Sequence, residues 1–198
     1  MSWRAHRDSS VTDALRLVQP AERYLSSYVQ ALKRGWSPDN VRPEAAIEQM
    51  ALIESDPSTF LALQSDRDAH GPAIELPDGS VAERLPGFHM WMWDGEFCGS
   101  ISMRWKRGTT ALPPTCLGHI GYGVVAWKRG MGYATRALAL MLPLARDVGL
   151  PFVDITTNVD NVPSRRVIEK NGGALVERFY KLPAYGGTAA LRYRVSLV

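Results

Sequence analysis

Six consecutive residues, Arg129-Gly130-Met131-Gly132-Tyr133-Ala134, set two glycines one position apart ahead of a long segment with an apolar stripe. Without a Cβ, the backbone at such a turn can approach a bulky anion closely. If a helix begins there, its first N–H groups have no intrahelical partner and its dipole presents positive charge. Together these features make an anion or phosphate cradle. A little earlier stands His119. Its ordinary pKa of ~6.5 leaves the ring mostly neutral at pH 7, as a general base should be. The same ring is equally suited to hydrogen-bonding a strand end. A metal centre is not expected: the two cysteines, Cys98 and Cys116, form no C-x-x-C pair, and the four histidines are scattered.

Two other phosphate-binding patterns fail. A Walker loop must end in Gly-Lys-Ser/Thr, and no such string is present. Gly121-Tyr122-Gly123-Val124-Val125-Ala126 matches a dinucleotide fingerprint as letters. It lies inside an apolar strand with no helix directly after it, however, and the next strand ends Thr156-Thr157-Asn158 without an acid.

The elements that must position this loop follow from periodicity. Residues 119–126 read as a strand, 132–148 as a helix and 152–157 as a β-branched strand. Ala134, Ala137, Leu138, Met141, Leu142, Ala145 and Val148 share one helical face, Pro143 should bend it, and Gly149 closes it. A strand–helix–strand unit of this length sets its strands parallel. A helix over 161–170 ends at Asn171-Gly172-Gly173, and strands follow over 174–182 and 190–198. Upstream, 14–18 reads as a strand, and 21–34, 43–55 and 57–65 as helices. Residues 66–87 are rich in Pro, Gly and Asp and read as a surface excursion. Asp94-Gly95 joins two apolar runs, 88–93 and 96–105, as a hairpin.

Set in this frame, the hexapeptide fits Arg/Gln-x-x-Gly-x-Gly/Ala and closely resembles the pyrophosphate loop of the GNAT N-acetyltransferases. The similarity extends over Gly118-His119-Ile120-Gly121-Tyr122-Gly123-Val124, Asp160-Asn161-Val162-Pro163-Ser164 and Val167-Ile168-Glu169-Lys170-Asn171-Gly172-Gly173. It is clear from 118 to 173 and weaker but ordered from Phe88. The resemblance implies an α/β (α+β) fold: a mixed, mostly antiparallel twisted sheet of about six to seven strands, with helices on both faces and a central splayed pair of parallel strands. It implies acetyl-CoA as co-substrate and direct transfer to a primary amine on a small molecule or peptide. Backbone groups of Val124 and Val125 would hold the pantetheine arm. The N–H groups of Arg129, Gly130, Met131, Gly132, Tyr133 and Ala134 would hold the pyrophosphate, with the Thr135 hydroxyl beside them. Asn161 and Ser164 would line the cofactor's other side. Strand N–H groups would stabilise the oxyanion, and His119 stands where many members carry a catalytic Glu. The family's acidic helix Tyr is replaced by Ile168, which leaves the proton donor open, with Tyr180 and Tyr185 as substitutes. A CoA-binding sensor or interaction module without efficient catalysis is the alternative this departure keeps alive.

The remaining composition narrows the class. The chain has 198 residues, 45% hydrophobic and 22% charged, the balance of one globular domain, expected over 13–198 behind a polar tail at 1–12. The net charge of +3 is spread thinly, with no run of five like charges, so a nucleic-acid partner is not expected. No apolar stretch of ~18 residues and no secretory leader is seen, which points to a cytoplasmic protein, with a homodimer as the default assembly. Trp91 and Trp93 share a strand face and read as packing residues, and Cys98 as a small buried hydrophobe.

Overall fold

In the computed structural model, which describes residues 15–39, 42–76 and 78–198, the Asp94-Gly95 turn does what its residue types demand. Gly95 takes a positive φ of 120°, and the chain folds back on itself. β5 (Gly87–Trp93) and β6 (Phe97–Arg104) pair antiparallel, with a register shift between Met92 and Trp93. β7 (Ile120–Val124) adds to the far edge of β6. β1 (Arg16–Val18) and β2 (Ser65–Asp66) share the other edge of β5, completing a five-stranded antiparallel sheet. The expected tail at 1–12 lies outside the described residues.

Strand alternation sends side chains to two cores. Phe88, Met92, Ile101, Met103 and Ile120 meet α4 (Tyr133–Asp147) through Ala137, Leu138, Met141 and Ala145, the stripe expected of that helix. Pro143 lies inside α4. On the opposite face Trp91, Phe97 and Val125 meet α1 (Glu22–Lys33), α2 (Ala45–Ser55) and α3 (Pro57–Leu63). Trp91 stacks on Tyr28 with centroids 4.5 Å apart and planes 6° from parallel. Trp93 tilts against Tyr24. Both tryptophans therefore pack. The excursion over 66–87 carries more structure than its composition suggests. It holds β2 and a hairpin of β3 (Ile74–Glu75) and β4 (Val81–Ala82). The Asp66 carboxylate accepts the N–H groups of His70 and Gly71 at 2.8 and 2.9 Å.

A second antiparallel sheet is ordered β8-β10-β9, from β8 (Phe152–Asn158), β10 (Ala189–Ser196) and β9 (Ala174–Tyr180). Leu175, Val176 and Tyr180 of the edge strand β9 are exposed. The two sheets meet at β7 and β8. Near their starts the strands touch: the His119 N–H donates to the Asp154 carbonyl at 2.7 Å. A Cβ on Gly118 would stand only 3.0 Å from that same carbonyl oxygen. Near their ends, the Tyr122 hydroxyl reaches Ser164 on α5 (Val162–Lys170), beyond the last residue of β8. The strands thus run in the same direction and diverge. This is the mixed α/β architecture with a splayed parallel pair that the resemblance implies, with helices on both faces. The splay is wide enough that the strands fall into two ladders, five and three, instead of one sheet of six or seven.

Gly99 sits at a positive φ of 147°, against β7. A Cβ there would fall 2.2 Å from the Gly123 carbonyl oxygen. Gly99→Ala should force β6 away from β7 and cost about 1–3 kcal/mol or more, as overpacking does. A clear drop in the thermal unfolding midpoint checks this.

Candidate active site

Antiparallel pairing decides which main-chain groups of β7 are free. Arg104 N–H donates to His119 O at 2.9 Å, and Val125 N–H donates to Cys98 O at 3.0 Å. These are the hydrogen-bonded positions of a ladder that alternates without a break between them. The N–H and C=O groups of Gly121 and Gly123 therefore face β6, and those of Ile120, Tyr122 and Val124 face the gap toward β8. The main-chain groups of Val124 face the gap. Those of Val125 do not: its N–H is spent on Cys98, its C=O accepts from Lys128 N–H at 3.0 Å, and its side chain is fully buried. The gap-facing positions are Tyr122 and Val124, one residue earlier in phase.

Past β7 a short tight turn, Ala126–Lys128, delivers the chain to the glycine loop. Gly130 and Gly132 both take φ of 80°, and Gly132 is the residue before the first turn of α4. Among the described residues, the N–H groups of Gly130, Met131, Gly132, Tyr133, Ala134 and Thr135 make no main-chain hydrogen bond; the first to do so is Arg136, to Gly132 O at 3.0 Å. Six donors thus point outward around the positive end of a helix, as an anion cradle requires. The Arg129 N–H is partly drawn into the preceding turn, to Ala126 O at 3.4 Å, and its guanidinium donates to Val124 O at 3.3 Å. The Tyr133 side chain is buried in the core, so only its N–H faces the loop.

A carboxylate that sequence reading saw only as a turn residue holds this loop in place. Asp94 Oδ2 accepts from Lys128 Nζ at 2.8 Å and from the Tyr133 hydroxyl at 2.5 Å, and Glu96 also pairs with Lys128 at 2.8 Å. The β5–β6 hairpin is thereby tied to both ends of the glycine loop. Burial pushes the Asp94 carboxyl up, but the Lys128 and Tyr133 hydrogen bonds outweigh it and hold it at about 2.

His119 is where the sequence places it, at the start of β7, and it is 1% exposed. Its Nδ1 accepts the Asp154 N–H at 3.0 Å. That nitrogen must then be the unprotonated one, and the proton of the neutral ring sits on Nε2. Burial, the largest influence, lowers its pKa, so the ring is neutral at pH 7. Its only lone pair is committed to β8. The carboxylate of Asp154 is itself gripped by Arg194 through two bonds of 2.8 and 2.9 Å. In this geometry the His119 ring clips β7 to β8.

Across the gap, Asn161 caps α5, its Oδ1 accepting from Ser164 N–H at 3.1 Å. The Ser164 hydroxyl lies 2.9 Å from the Tyr122 hydroxyl. Ile168, one turn further on, is fully buried. Of the two substitutes considered for the missing acid, Tyr180 is 77% exposed on β9, and the Tyr185 hydroxyl donates to Thr115 O at 2.6 Å. Tyr122 was missed because its phase depends on the pairing with β6. Cys98 is buried, and burial lifts its thiol to about 12, as expected of a packing residue. No cluster of metal-ligating side chains occurs among the described residues, and none of their helices is long and apolar enough to cross a membrane.

Residues 40–174 match the family model of the acetyltransferase (GNAT) domain, well over half of the chain. The chain belongs to the GNAT acetyltransferases. Solved structures agree with the fold of this GNAT acetyltransferase. The microcin C7 self-immunity acetyltransferase MccE, in complex with acetyl-CoA and AMP, is 16% identical, covers 94% of each chain and superposes with a TM-score of 0.58. The ribosomal L7/L12 alpha-N-protein acetyltransferase RimL, in complex with coenzyme A, is 19% identical over 94% of this chain and 96% of its own, TM-score 0.58. Mycobacterium smegmatis RimJ, in complex with CoA-disulfide, is 17% identical over 92% of this chain and 81% of its own, TM-score 0.60. No curated protein matches the sequence.

Two outcomes follow from the site's geometry. Asp94 has a folded pKa of about 2 against an ordinary 3.8, so the unfolded chain binds that proton first. Stability from this group is present above pH ~4 and is lost as pH falls toward 2. Asp94→Asn should flatten that acid limb, read as unfolding midpoints across pH 2–5. His119→Ala should leave the buried Asp154 N–H unpaired and cost about 1–3 kcal/mol of stability. An unchanged midpoint with collapsed turnover would return the ring to a proton-transfer role.

Proposed function

We propose that the chain binds acetyl-CoA along β7 and transfers its acetyl group directly to an α-amine. The observation that carries this reading is the continuity of unpaired donors, from the gap-facing edge of Tyr122 and Val124 into the six free N–H groups of the glycine loop. A pantetheine arm is a chain of amides and completes the β7 edge as an extra strand would. Its pyrophosphate fits the loop from Gly130 to Thr135, with the Thr135 hydroxyl beside it. Asn161 and Ser164 close the far side. A gap-facing N–H of β7 then lies beside the thioester and supports the negative oxygen that forms when the amine attacks.

Both proton steps follow from what the side chains have free. His119 has no lone pair to offer, so the amine must be neutral on its own account. A peptide α-amine, with pKa ~7.7–8.0, is substantially neutral near pH 7, whereas a lysine at ~10.4 is almost wholly charged. This favours α-amines, the chemistry printed in the description of RimL as an alpha-N-protein acetyltransferase. For the departing thiolate, the Tyr122 hydroxyl, paired with Ser164, takes the part of the missing helix tyrosine. Its side of the gap is where Ile168 offers nothing. Two free cysteines suit a reducing compartment, and we place the protein in the cytoplasm.

Calorimetry with acetyl-CoA, followed by turnover on a short peptide panel, tests the reading. Gly132→Glu puts a side chain and a negative charge into the cradle and should abolish acetyl-CoA binding. Tyr122→Phe should retain binding while turnover falls about a hundredfold, as for a lost general acid. Wild-type protein that does not bind acetyl-CoA sinks the proposal.

A further inference from the structure

One cation stands at the site without a counter-charge. Arg104 ends β6, and its N–H bond to His119 O sets it where β7 and β8 join. Its Nη2 donates to Ser102 Oγ at 2.9 Å and lies over Gly121, where a Cβ would stand 3.3 Å away. His89, Ser102 and Gly121 form one row across β5, β6 and β7, and Arg104 projects on the same face. With glycine at 121 and 123, the floor here is bare backbone, directly behind the gap-facing groups of Tyr122. None of the ion pairs among the described residues includes Arg104. Beyond the burial that dominates each of them, its charge acts on His89, Cys116, His119 and Tyr185, which are neutral groups from three segments of the chain. A second polar atom waits in the same row: His89 Nδ1 is buried and has no hydrogen-bond partner. The carboxylates whose fields reach this corner, Asp39 and Asp78, act on Tyr185.

We propose that Arg104 binds an oxyanion of the acceptor, so that the acetylated amine belongs to a molecule carrying a carboxylate close to that amine. This inference rests on the acetyl-transfer reading and names the substrate class for it. A half-buried guanidinium whose side-chain partners are the Ser102 hydroxyl and the Cys116 thiol still has donors to spare, and a carboxylate takes two of them in parallel. A neutral acceptor would leave the cation as bare as it is now, so selectivity against it is built in. A carboxylate suits the single planar fork. A phosphate offers the same oxyanion chemistry and is separated by experiment.

The test uses peptides that differ in one group: aspartyl-alanine amide against asparaginyl-alanine amide, phosphoseryl-alanine amide against seryl-alanine amide, and alanyl-alanine against its amide. With wild-type protein and acetyl-CoA, kcat/KM for at least one anionic member should exceed that of its neutral twin tenfold or more. The pair that shows it identifies a side-chain carboxylate, a phosphate or a main-chain carboxylate as the source. Arg104→Gln should bring that ratio close to one without changing acetyl-CoA affinity, and Arg104→Lys should keep an intermediate ratio. Equal ratios in wild type, or a preference that survives in Arg104→Gln, overturn the proposal. If no peptide is acetylated although acetyl-CoA binds, the transfer reading fails. The anion site is then judged by calorimetry on CoA-loaded protein. Binding of the anionic peptides that is lost in Arg104→Gln supports it, and the same binding in both proteins, or none in wild type, refutes it.

Discussion

Two hydrogen bonds at one end of the β7–β8 pair govern the geometry of everything beyond them. The His119 N–H reaches the Asp154 carbonyl, and the His119 ring accepts the Asp154 N–H. They staple the strands where Gly118 allows the backbones to come close, and after that point no ladder forms. Each strand is held on its outer side by a regular antiparallel sheet, so neither can bend to close the gap. The result is a rigid wedge whose inner walls carry main-chain groups without partners. Buried backbone polar groups are normally paired, because leaving them bare costs free energy comparable to a lost hydrogen bond. A gap of this kind persists only because the packed cores on both sheet faces hold it open.

The glycine loop and the gap are mechanically one unit. Lys128 and Tyr133 flank the loop, and both end on the Asp94 carboxylate at the tip of the β5–β6 hairpin. The hairpin sets where β6 lies, β6 sets the phase of β7, and the same turn residue anchors the loop that follows β7. A shift of the hairpin would move the cradle and the strand edge together, keeping their spacing. In the reading proposed above, that spacing serves a ligand whose diphosphate and amide arm are covalently joined.

Local chemistry was legible in the sequence and pairing phase was not. Gly130, Gly132 and the α4 stripe announce a cradle because each acts within a few residues of itself. Asp94-Gly95 announces a hairpin for the same reason. Val124 and Val125 look alike as letters; only the pairing with Cys98 shows that Val125 is closed and Tyr122 open, since one residue of phase reverses a strand's edge and face. His119 carried the right residue type for a base, and nothing near it in sequence announced that its Nδ1 accepts a backbone N–H on a strand 35 residues away. Arg104 gave no signal at all, because the absence of a partner carboxylate is a property of the assembled structure. The excursion over 66–87 was legible as turns, and its strands were not, because each is two residues long and exists only through its pairing.

The open edge of β7 also bears on how this protein survives in a cell. A molecule that binds these donors only in the folded chain makes occupancy and folding coupled equilibria. For any ligand held by the native state alone, a concentration a hundred times its dissociation constant adds about 2.7 kcal/mol. That is a sizeable share of the ~5–15 kcal/mol by which a domain usually resists unfolding. If the splayed strands hold the ligand proposed for them, the chain's resistance to unfolding rises and falls with the supply of that ligand.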